Sequence, residues 1–308
     1  MNKKVLVTGG CGFIGSNLVR LLLKGGSEVG VLDNQSTGHA GNLAGTGAKV
    51  MTGDIRSAQE TAEAVKGMDV VIHLAAYGSV VDSVEHPEVN FDVNARGTLC
   101  LLRECVKANV GRFVFASTGG ALIGNAEPPV DENSIPKPIS PYGAGKLCCE
   151  AYCNAFAHSY GLRTVILRFS NVYGPYSAHK KGAVTAFIKA VQKDEPFSIY
   201  GDGRASRDYL YVSDLCQGVV QALEADLEPA TVLHLASGVE TTVDDLAGMI
   251  AEVAGKPGHE TVHLPARRGE VGRNFASHAY ASRRIGFTPS VPLRLGLEKT
   301  WDWFSSKE

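Results

Sequence analysis

The chain has 308 residues, 44% of them hydrophobic and 20% charged, which is the composition of an ordinary globular protein. The net charge of −2 gives no electrostatic reason to expect nucleic acid or an anionic membrane as a partner, and no apolar run reaches the roughly 18 residues that a membrane span needs. No signal-peptide pattern precedes the first strand and the seven cysteines lack metal-ligand spacing, so we expect a cytoplasmic protein with reduced thiols and no bound metal.

A glycine-rich turn follows the first predicted strand. Residues 5–7 are apolar and predict a buried strand, and glycines follow at Gly9, Gly12 and Gly15. Apolar residues then recur at helical spacing from Phe13 onward. Glycine lets a backbone approach a ligand closely, and a helix N-terminus favours a diphosphate. A strand, a glycine turn and a helix in this order predict a dinucleotide site.

An acidic residue ends the second predicted strand. That strand covers residues 28–32 and is followed by Asp33 and Asn34. An acid about 20 residues past the glycines can accept hydrogen bonds from the adenosine ribose hydroxyls. A carboxylate there repels a 2′-phosphate, so the sequence favours NAD over NADP. The alternative is that Asp33 only caps a loop.

Two further predicted strands, 49–52 and 69–74, also end in candidate cofactor contacts. Asp54 follows the first of them and is a candidate for the adenine amino group. The second leads into Ala75 and Ala76, whose small side chains let the chain pass close to a cofactor. Within that strand, we interpret His73 as a core histidine whose hydrogen bonds are satisfied.

One long helix is predicted over residues 89–108. Asn94 lies inside it, although asparagine is a poor helix former in a helix interior. Its side chain either bonds to neighbouring backbone or is exposed.

The residues that could carry chemistry follow the fifth predicted strand, 111–116. Ser117 and Thr118 end this strand, where side chains of a doubly wound sheet point into the ligand crevice. Tyr142 and Lys146 follow a proline-rich loop and are spaced to share one helical face. A nearby ammonium lowers the pKa of a phenol, which predicts that Tyr142 acts as a general base while Thr118 holds a substrate hydroxyl.

Taken together, these motifs resemble the extended short-chain dehydrogenase/reductase family, and most of all its nucleotide-sugar 4-epimerases, over nearly the whole chain. The resemblance implies an α/β fold with a Rossmann-type doubly wound parallel sheet and a smaller C-terminal α/β substrate-binding domain. We expect residues 1–170 to form the NAD-binding domain and residues 171–308 to form most of the substrate-binding domain, with some later segments returning to the first.

The same resemblance implies roles for individual residues. Tyr142 is the catalytic base, Lys146 binds the nicotinamide ribose and tunes Tyr142, and Thr118 orients the sugar. The expected cofactor-binding residues are Gly9, Gly12, Phe13, Ile14, Gly15, Asp33, Asn34, Asp54, Ile55, Leu74, Ala75, Ala76, Asn94, Tyr142, Lys146 and Tyr173.

The second half of the chain supplies the expected substrate contacts. Residues 162–169 predict a sixth strand, which leads into a stretch that matches the family's R-x-x-N-x-Y-G-P. By resemblance, Asn171 binds the nucleotide diphosphate, and Arg207 and Arg267 do the same. A guanidinium suits this role because it presents a planar fork to phosphate oxygens. The motif around Arg267 has Glu270 where the family has Asp, and we expect Arg268 to face solvent.

Two features of the second half bear on substrate recognition. In the family, the residue aligned with Asn274 borders the C2 substituent of the sugar, so this small polar residue suggests room for an N-acetyl group. Residues 179–181 are basic, and we interpret them as part of a solvated loop.

The residues after Thr118 favour epimerisation among the reactions that this scaffold supports. In the family's dehydratases an Asp-Glu pair follows the equivalent threonine, whereas this chain has Gly119 and Gly120. We therefore expect NAD-dependent epimerisation of a UDP-hexose or its N-acetyl form at C4. A 4,6-dehydratase, a keto-sugar reductase and a non-catalytic NAD-binding sensor remain alternatives, and the helices at 89–108 and 142–160 are the expected face of a homodimer.

Overall fold

The computed structural model describes residues 3–267 and 271–306 and has a parallel sheet at its centre. Its strands are β1 Lys4–Thr8, β2 Glu28–Asp33, β3 Lys49–Thr52, β4 Val70–His73, β5 Arg112–Thr118, β6 Thr164–Phe169, β7 Asn171–Tyr173, β8 Phe197–Tyr200, β9 Ser206–Arg207, β10 Tyr209–Tyr211, β11 Thr231–Leu235, β12 Thr241–Thr242 and β13 Thr261–Leu264. Seven of them form the central sheet in the order β11-β6-β5-β4-β1-β2-β3, with every neighbouring pair parallel.

Helices connect these strands and cover both faces of the sheet. They are α1 Phe13–Lys24, α2 Ala58–Val65, α3 Val80–Glu85, α4 Pro87–Phe91, α5 Gly97–Lys107, α6 Gly120–Ile123, α7 Pro141–Tyr160, α8 Ala183–Gln192, α9 Val212–Glu224, α10 Val243–Val253, α11 Ala279–Ile285 and α12 Leu293–Ser305. The expected doubly wound α/β fold is therefore confirmed.

The central strands are apolar on both sides because both faces of the sheet are covered. Val5 and Val7 of β1 belong to a core that includes Leu18 of α1 and Leu215 of α9. Leu6, between them, points to the opposite core with the side chains of α2, α5 and α7. Since alternate residues of a strand face opposite sides, a continuous apolar strand fills both cores at once.

A third core lies outside the central sheet. It joins α8, α10 and α12 to the short strands β8 and β10 and includes Phe187, Phe197, Leu246, Leu297 and Phe304. The chain nevertheless returns to the central sheet through β11. The division into residues 1–170 and 171–308 remains a prediction.

The sheet order places its crevice between β1 and β4. Chain connections from β1 lead toward β2 and β3, whereas those from β4 lead toward β5, β6 and β11. Ligands of open α/β sheets bind at such a reversal, outside the carboxyl ends of the strands. The glycine turn after β1, the acid that ends β2 and the hydroxyls that end β5 therefore share one edge of the sheet.

The helix predicted over residues 89–108 is confirmed, because helical backbone runs without a break from Pro87 to Lys107. It divides into α4, a π-helical turn at Asp92–Arg96, and α5. A π-turn adds a residue to the hydrogen-bonded ring, and such turns are frequent at functional sites. Asn94 lies in this turn.

Residues 3–267 and 271–306 contain neither a membrane-spanning helix nor a metal-binding cluster. No helix there is long and apolar enough to cross a membrane. No group of three or more His, Cys, Asp or Glu residues is arranged to hold a metal ion in that part of the chain, and all seven cysteines are free thiols.

Candidate active site

The glycine turn forms a backbone cradle that side chains would fill. Gly9 has φ +71°, and a Cβ at this position would lie 2.7 Å from the backbone nitrogen of Ala75. A Cβ on Gly15 would collide with the carbonyl oxygen of Gly9. Gly12 precedes α1 without a side-chain cap, so the first N–H groups of the helix stay available to an anion. This turn fits the diphosphate of a dinucleotide.

The carboxylate of Asp33 lies beside the same turn. Its Oδ2 accepts a hydrogen bond from the backbone N–H of Cys11 at 2.9 Å, and its Oδ1 accepts one from Gln35 at 2.7 Å. Asp33 thus fixes the glycine turn to the end of β2. Each carboxylate oxygen has further lone-pair capacity, so these bonds still allow Asp33 to accept from ribose hydroxyls.

Asp54 belongs to a group of charges at the end of β3. Both of its oxygens accept from the Arg56 guanidinium, and Arg56 also pairs with Asp92 at 2.8 Å. The adjacent guanidinium holds the pKa of Asp54 well below its usual range. Asn34 donates to Asp54 at 3.1 Å, while neighbouring Ile55 is buried. Contact of these residues with adenine remains a prediction.

Asn94 anchors the segment that follows β4. Its Oδ1 accepts from the backbone N–H of Tyr77 at 2.8 Å, and its Nδ2 donates to the Tyr77 carbonyl at 3.2 Å. The side chain is buried, so the alternative of an exposed asparagine is wrong. Asn94 therefore supports the chain that follows Leu74, Ala75 and Ala76.

His73, at the end of β4, is a satisfied core histidine as predicted. Its Nδ1 is 2.7 Å from the Thr8 hydroxyl and its Nε2 is 3.0 Å from the Thr98 hydroxyl. Burial lowers its pKa to about 3, so the imidazole stays neutral at physiological pH.

Tyr142 and Lys146 project from the first turns of α7 toward the end of β5. The Lys146 ammonium donates to the carbonyl oxygen of Ala116 at 2.7 Å and lies 6.0 Å from the ring centroid of Tyr142. The backbone N–H of Tyr142 donates to the Ser83 hydroxyl at 3.1 Å, which fixes the start of the helix. Thr118 is partly exposed at the end of β5.

The predicted lowering of the Tyr142 pKa by Lys146 is wrong for the protein chain by itself. Burial raises the pKa of Tyr142 to about 12, because the phenolate is poorly solvated there. The same burial lowers the pKa of Lys146. The ammonium is directed at a backbone carbonyl instead of the phenol oxygen, so its stabilisation of a phenolate does not offset desolvation.

The Gly119–Gly120 dipeptide is packed against two side chains, those of His234 and Asn274. A Cβ on Gly119 would lie 3.3 Å from Nδ1 of the buried His234, and a Cβ on Gly120 would lie 2.8 Å from Oδ1 of Asn274. An acid at either position would therefore require His234 or Asn274 to move.

The expected substrate contacts lie on short strands and loops outside the central sheet. Asn171 is exposed on β7, and its backbone N–H donates to the Asp208 carbonyl at 2.8 Å. Arg207 donates to the carbonyls of Ser206 and Gly272 at 2.8 and 3.3 Å. The Arg267 guanidinium stacks on Tyr200, with 3.5 Å between the guanidinium carbon and the ring centroid.

Asn274 and Tyr173 are both buried on this side. The Nδ2 of Asn274 finds no hydrogen-bond partner among the described residues, so this amide is oriented by packing against Gly120. The Tyr173 hydroxyl donates to the Leu293 carbonyl at 3.1 Å, and its ring packs in the third core. The Tyr173 side chain is therefore occupied, and only the Tyr173 backbone could contact nicotinamide. Arg268 and Glu270 lie outside the described residues.

The basic segment 179–181 is exposed, but it is not merely solvated. Lys181 pairs with both oxygens of Asp82 at 3.0 and 3.1 Å. Asp82 lies on α3 beside Ser83, which contacts the Tyr142 backbone. The ion pair therefore joins the segment after β7 to the helix next to the catalytic candidates.

The chain matches known proteins along most of its length. Residues 5–236 match the model of the NAD dependent epimerase/dehydratase family. A putative UDP-glucose 4-epimerase of Methanocaldococcus jannaschii is 36% identical, with 98% of each chain covered. A dTDP-glucose 4,6-dehydratase of Streptomyces niveus is 32% identical, with 98% of this chain and 92% of the other covered.

Solved structures show the same architecture. The UDP-glucose 4-epimerase of Thermotoga maritima, solved with UDP-glucose, has a TM-score of 0.95 and 36% identity over 99% of both chains. The Thermus thermophilus UDP-glucose 4-epimerase, in complex with NAD, has a TM-score of 0.93 and 37% identity over 99% of this chain and 100% of the other. A UDP-N-acetylglucosamine 4-epimerase of Methanobrevibacter ruminantium, solved with UDP-N-acetylmuramic acid, has a TM-score of 0.93 and 32% identity over 100% of this chain and 99% of the other.

Proposed function

Because this chain belongs to the NAD-dependent epimerase/dehydratase family, we propose that it interconverts UDP-hexoses that differ in configuration at C4, with NAD as a retained cofactor. One observation carries the choice of reaction. Lys146, near the ring of Tyr142, contacts β5 at Ala116, two residues before Thr118, and the next two residues, Gly119 and Gly120, contribute no acid.

The cofactor is held by the residues around the β1–β4 crevice. The backbone cradle of Gly9, Gly12 and Gly15 receives the diphosphate, and Asp33 accepts from the adenosine ribose. When bound, NAD⁺ supplies the hydride acceptor, and after reduction the hydride donor, for C4 of the sugar. The negative charge and the burial of Asp33 favour NAD over a 2′-phosphorylated cofactor.

Tyr142 moves the proton of the reaction. It takes the proton of the C4 hydroxyl as the C4–H bond is broken, which leaves a 4-keto sugar. The keto sugar turns to present its other face, and as C4 regains a hydride on that face Tyr142 returns the proton to the same C4 oxygen. Thr118 holds that oxygen in line, and Lys146 favours the phenolate.

The nucleotide end stays fixed while the sugar turns. Asn171, Arg207 and Arg267 are placed on the substrate side, where an amide and two guanidinium groups suit diphosphate oxygens. Since no net oxidation occurs in a complete cycle, the cofactor need not leave between turnovers.

A 4,6-dehydratase is the second candidate because dehydratases are among the relatives. Dehydration needs an acid and a base near C5 and C6 of the sugar. Gly119 and Gly120 argue against it, because the two residues after Thr118 supply neither an acid nor a base.

The buried amide of Asn274 supports acceptance of an N-acetylated sugar. It is smaller than an aromatic residue, and its Nδ2 lacks a partner among the described residues. Asn274→Tyr is expected to lower kcat/KM for UDP-N-acetylglucosamine far more than for UDP-glucose. Equal losses for both sugars would contradict this role.

We extend the proposal in two ways. The protein is a cytoplasmic homodimer, and its NAD-binding and substrate-binding domains comprise residues 1–170 and 171–308. The free thiols of all seven cysteines support a reducing compartment. Exposed apolar side chains on α4 and α7, among them Phe91 and Tyr160, each 61% exposed, support self-association of these helices. Sedimentation of the wild type and of Phe91→Glu would test the dimer, since the variant is expected to sediment as a monomer.

Proton NMR of UDP-glucose and of UDP-N-acetylglucosamine, incubated with purified protein and no added cofactor, tests the function. We expect the C4 epimer of at least one sugar to appear without net change in NAD redox state. Tyr142→Phe is the matched control and should form the epimer at least about a hundredfold more slowly. Loss of water from the product would establish the dehydratase instead. No change in either sugar, even with NAD supplied, would refute the UDP-hexose epimerase.

A further inference from the structure

A buried ion pair lies directly behind the catalytic candidates. The Arg168 guanidinium donates to both oxygens of Glu150, with distances of 3.0 Å from Nε and 2.9 Å from Nη2. The side chains of Arg168 and Glu150 are only 5% and 7% exposed. The Ser117 hydroxyl donates to Oε1 of Glu150 at 2.5 Å. We call these three residues the Glu150 network.

The Glu150 network joins the two elements whose spacing matters for the reaction. Ser117 immediately precedes Thr118 on β5. Glu150 lies one helical turn beyond Lys146 on α7, and the spacing of four residues puts Tyr142, Lys146 and Glu150 on one face. The carboxylate of Glu150 therefore binds β5 at Ser117, the residue before Thr118. It does so from the face of α7 that carries Tyr142.

A second contact between α7 and β5 lies one helical turn before Glu150. Lys146 donates to the carbonyl of Ala116 at 2.7 Å, while Ser117 bonds Glu150. Two consecutive strand residues are thus held by two consecutive turns of α7. This arrangement sets both the separation and the register of Thr118 relative to Tyr142.

Strand β6 keeps the Glu150 side chain in place through Arg168. Arg168 on β6 is the register partner of Ser117 on β5 and of His234 on β11. Burial lowers the pKa of His234 to about 3, so this neighbour adds no positive charge at neutral pH. Arg168 is therefore the guanidinium that holds the carboxylate of Glu150 toward β5.

We propose that Glu150 is a positioning residue, which acts through Ser117 to hold Thr118 in line with Tyr142 and Lys146. This proposal rests on the proposed function for the roles of those three residues. A buried ion pair often stabilises a fold no better than apolar residues of similar volume, because desolvation offsets the attraction. The Glu150–Arg168 pair instead fixes the position of Thr118 relative to Tyr142 and Lys146. A misplacement of a reacting group by about 1 Å can slow a reaction roughly hundredfold.

Two variants separate positioning from stability. Ser117→Ala removes one hydrogen bond and leaves the ion pair intact. The double variant Glu150→Leu with Arg168→Met replaces both charges by apolar side chains, so it leaves no buried charge unpaired. Glu104→Gln is the matched control, because Glu104 is also a buried carboxylate with one ion-pair partner, Lys107, but lies on α5.

Steady-state kinetics and amide hydrogen exchange are measured on all of these proteins. We expect kcat to fall about tenfold in Ser117→Ala and further in the double variant, with KM within about twofold and the melting temperature nearly kept. Exchange should quicken at residues 116–119 and 142–146. Glu104→Gln should change the melting temperature without changing kcat or these segments.

Wild-type kcat and wild-type exchange in both network variants would overturn the proposal. So would a fall in kcat that merely follows the melting temperature, as in a general loss of stability. Amide hydrogen exchange needs no substrate, so it tests whether the Glu150 network holds these segments whatever the reaction is. If the protein does not turn over UDP-hexoses, only the proposed function is refuted.

Discussion

The proposed cofactor side and the proposed substrate side of the cleft are built in different ways. On the cofactor side, the candidate residues end the parallel strands of one sheet, where Thr8, His73 and Asp33 are buried and hydrogen-bonded. On the substrate side, Asn171 and Arg207 lie on strands of two or three residues, and Arg267 lies in a loop. A sheet fixes its strand ends to one another, so chemistry common to a family belongs there, whereas loops can change the recognised substrate.

One buried carboxylate connects the two sides. Asp208 follows β9 and is fully buried, and it accepts from the backbone N–H and the hydroxyl of Ser237, both at 2.8 Å, and from the N–H of Gly238 at 2.9 Å. Ser237 and Gly238 follow β11 of the central sheet. Asp208 thus links the substrate-side strands to the end of β11 through two backbone N–H donors and one hydroxyl.

The largest expected effect is on the cofactor side. Tyr142→Phe should lower kcat by about 10² to 10⁴, because a general base is lost, while bound NAD remains. Tyr211→Phe, a buried tyrosine of the third core, is the matched control and should keep kcat within about twofold. Turnover and the NAD content of the purified protein are measured. Similar losses in both variants would show that any buried tyrosine is needed, which contradicts the assignment of Tyr142.

A second change tests the rigidity of the glycine cradle. Gly15→Ala places a Cβ against the Gly9 carbonyl, so we expect displacement of the turn, loss of bound NAD and a fall in kcat/KM of about hundredfold. Gly248→Ala on α10 has open space around its Cβ and should stabilise the protein by about 0.5–1 kcal/mol. NAD absorbance and thermal unfolding measure the two effects. Full NAD content in Gly15→Ala would disprove the cradle.

The buried histidines of the sheet make stability depend on pH. The pKa of His73 and of His234 is lowered to about 3 by burial, whereas the unfolded value is near 6.5. As pH falls below about 6.5, the unfolded chain binds protons and the folded chain does not, so the free energy of unfolding decreases by up to about 1.4 kcal/mol per pH unit for each histidine.

Urea unfolding at pH 7, 6 and 5 measures this slope. His234→Gln should remove about half of it, and His263→Gln, at an exposed position of the substrate side, should leave it unchanged. A wild-type stability that is equal at pH 7 and pH 5 would contradict the buried neutral state of both rings.

On the substrate side, Arg207→Gln should act on binding and spare the cofactor. Loss of charge-assisted hydrogen bonds to a diphosphate is expected to raise KM for the UDP-sugar about tenfold or more, with NAD content unchanged. Arg204→Gln, at an exposed position just before β9, should have little effect. The predicted role of Arg207 is refuted if its KM stays at the wild-type value.

The smallest expected effect concerns the ion pair that crosses from one side to the other. Lys181 is 75% exposed, so Lys181→Gln should lower the free energy of unfolding by no more than about 0.5 kcal/mol. Lys49→Gln, which breaks an exposed pair with Glu28 at the far edge of the sheet, is the matched control. A loss above about 1 kcal/mol for Lys181 alone would show that this pair holds the two sides together.

Local sequence patterns predicted the strand, the glycine turn and the helix that begin the chain, and the structure confirms all three. The apolar run of β1 and the glycines after it predict a strand, a turn and a helix, because both faces of the strand are buried and the turn needs φ > 0 at Gly9. The spacing of Tyr142 and Lys146 predicts a shared helical face for the same kind of reason. These features depend on neighbours within a few residues, so the sequence alone contains them.

The tertiary structure decided what depends on residues far apart in the chain. It gave Asn94 its partner at Tyr77 through a π-turn, and it reversed the predicted pKa shift of Tyr142 because burial depends on every element around the phenol. Glu150 has no local signature, since its partners Ser117 and Arg168 reach it only through the pairing of β5 with β6 under α7. The sequence by itself determined which strands end in polar residues, and only the packing of those strands into one sheet decided which of these residues meet.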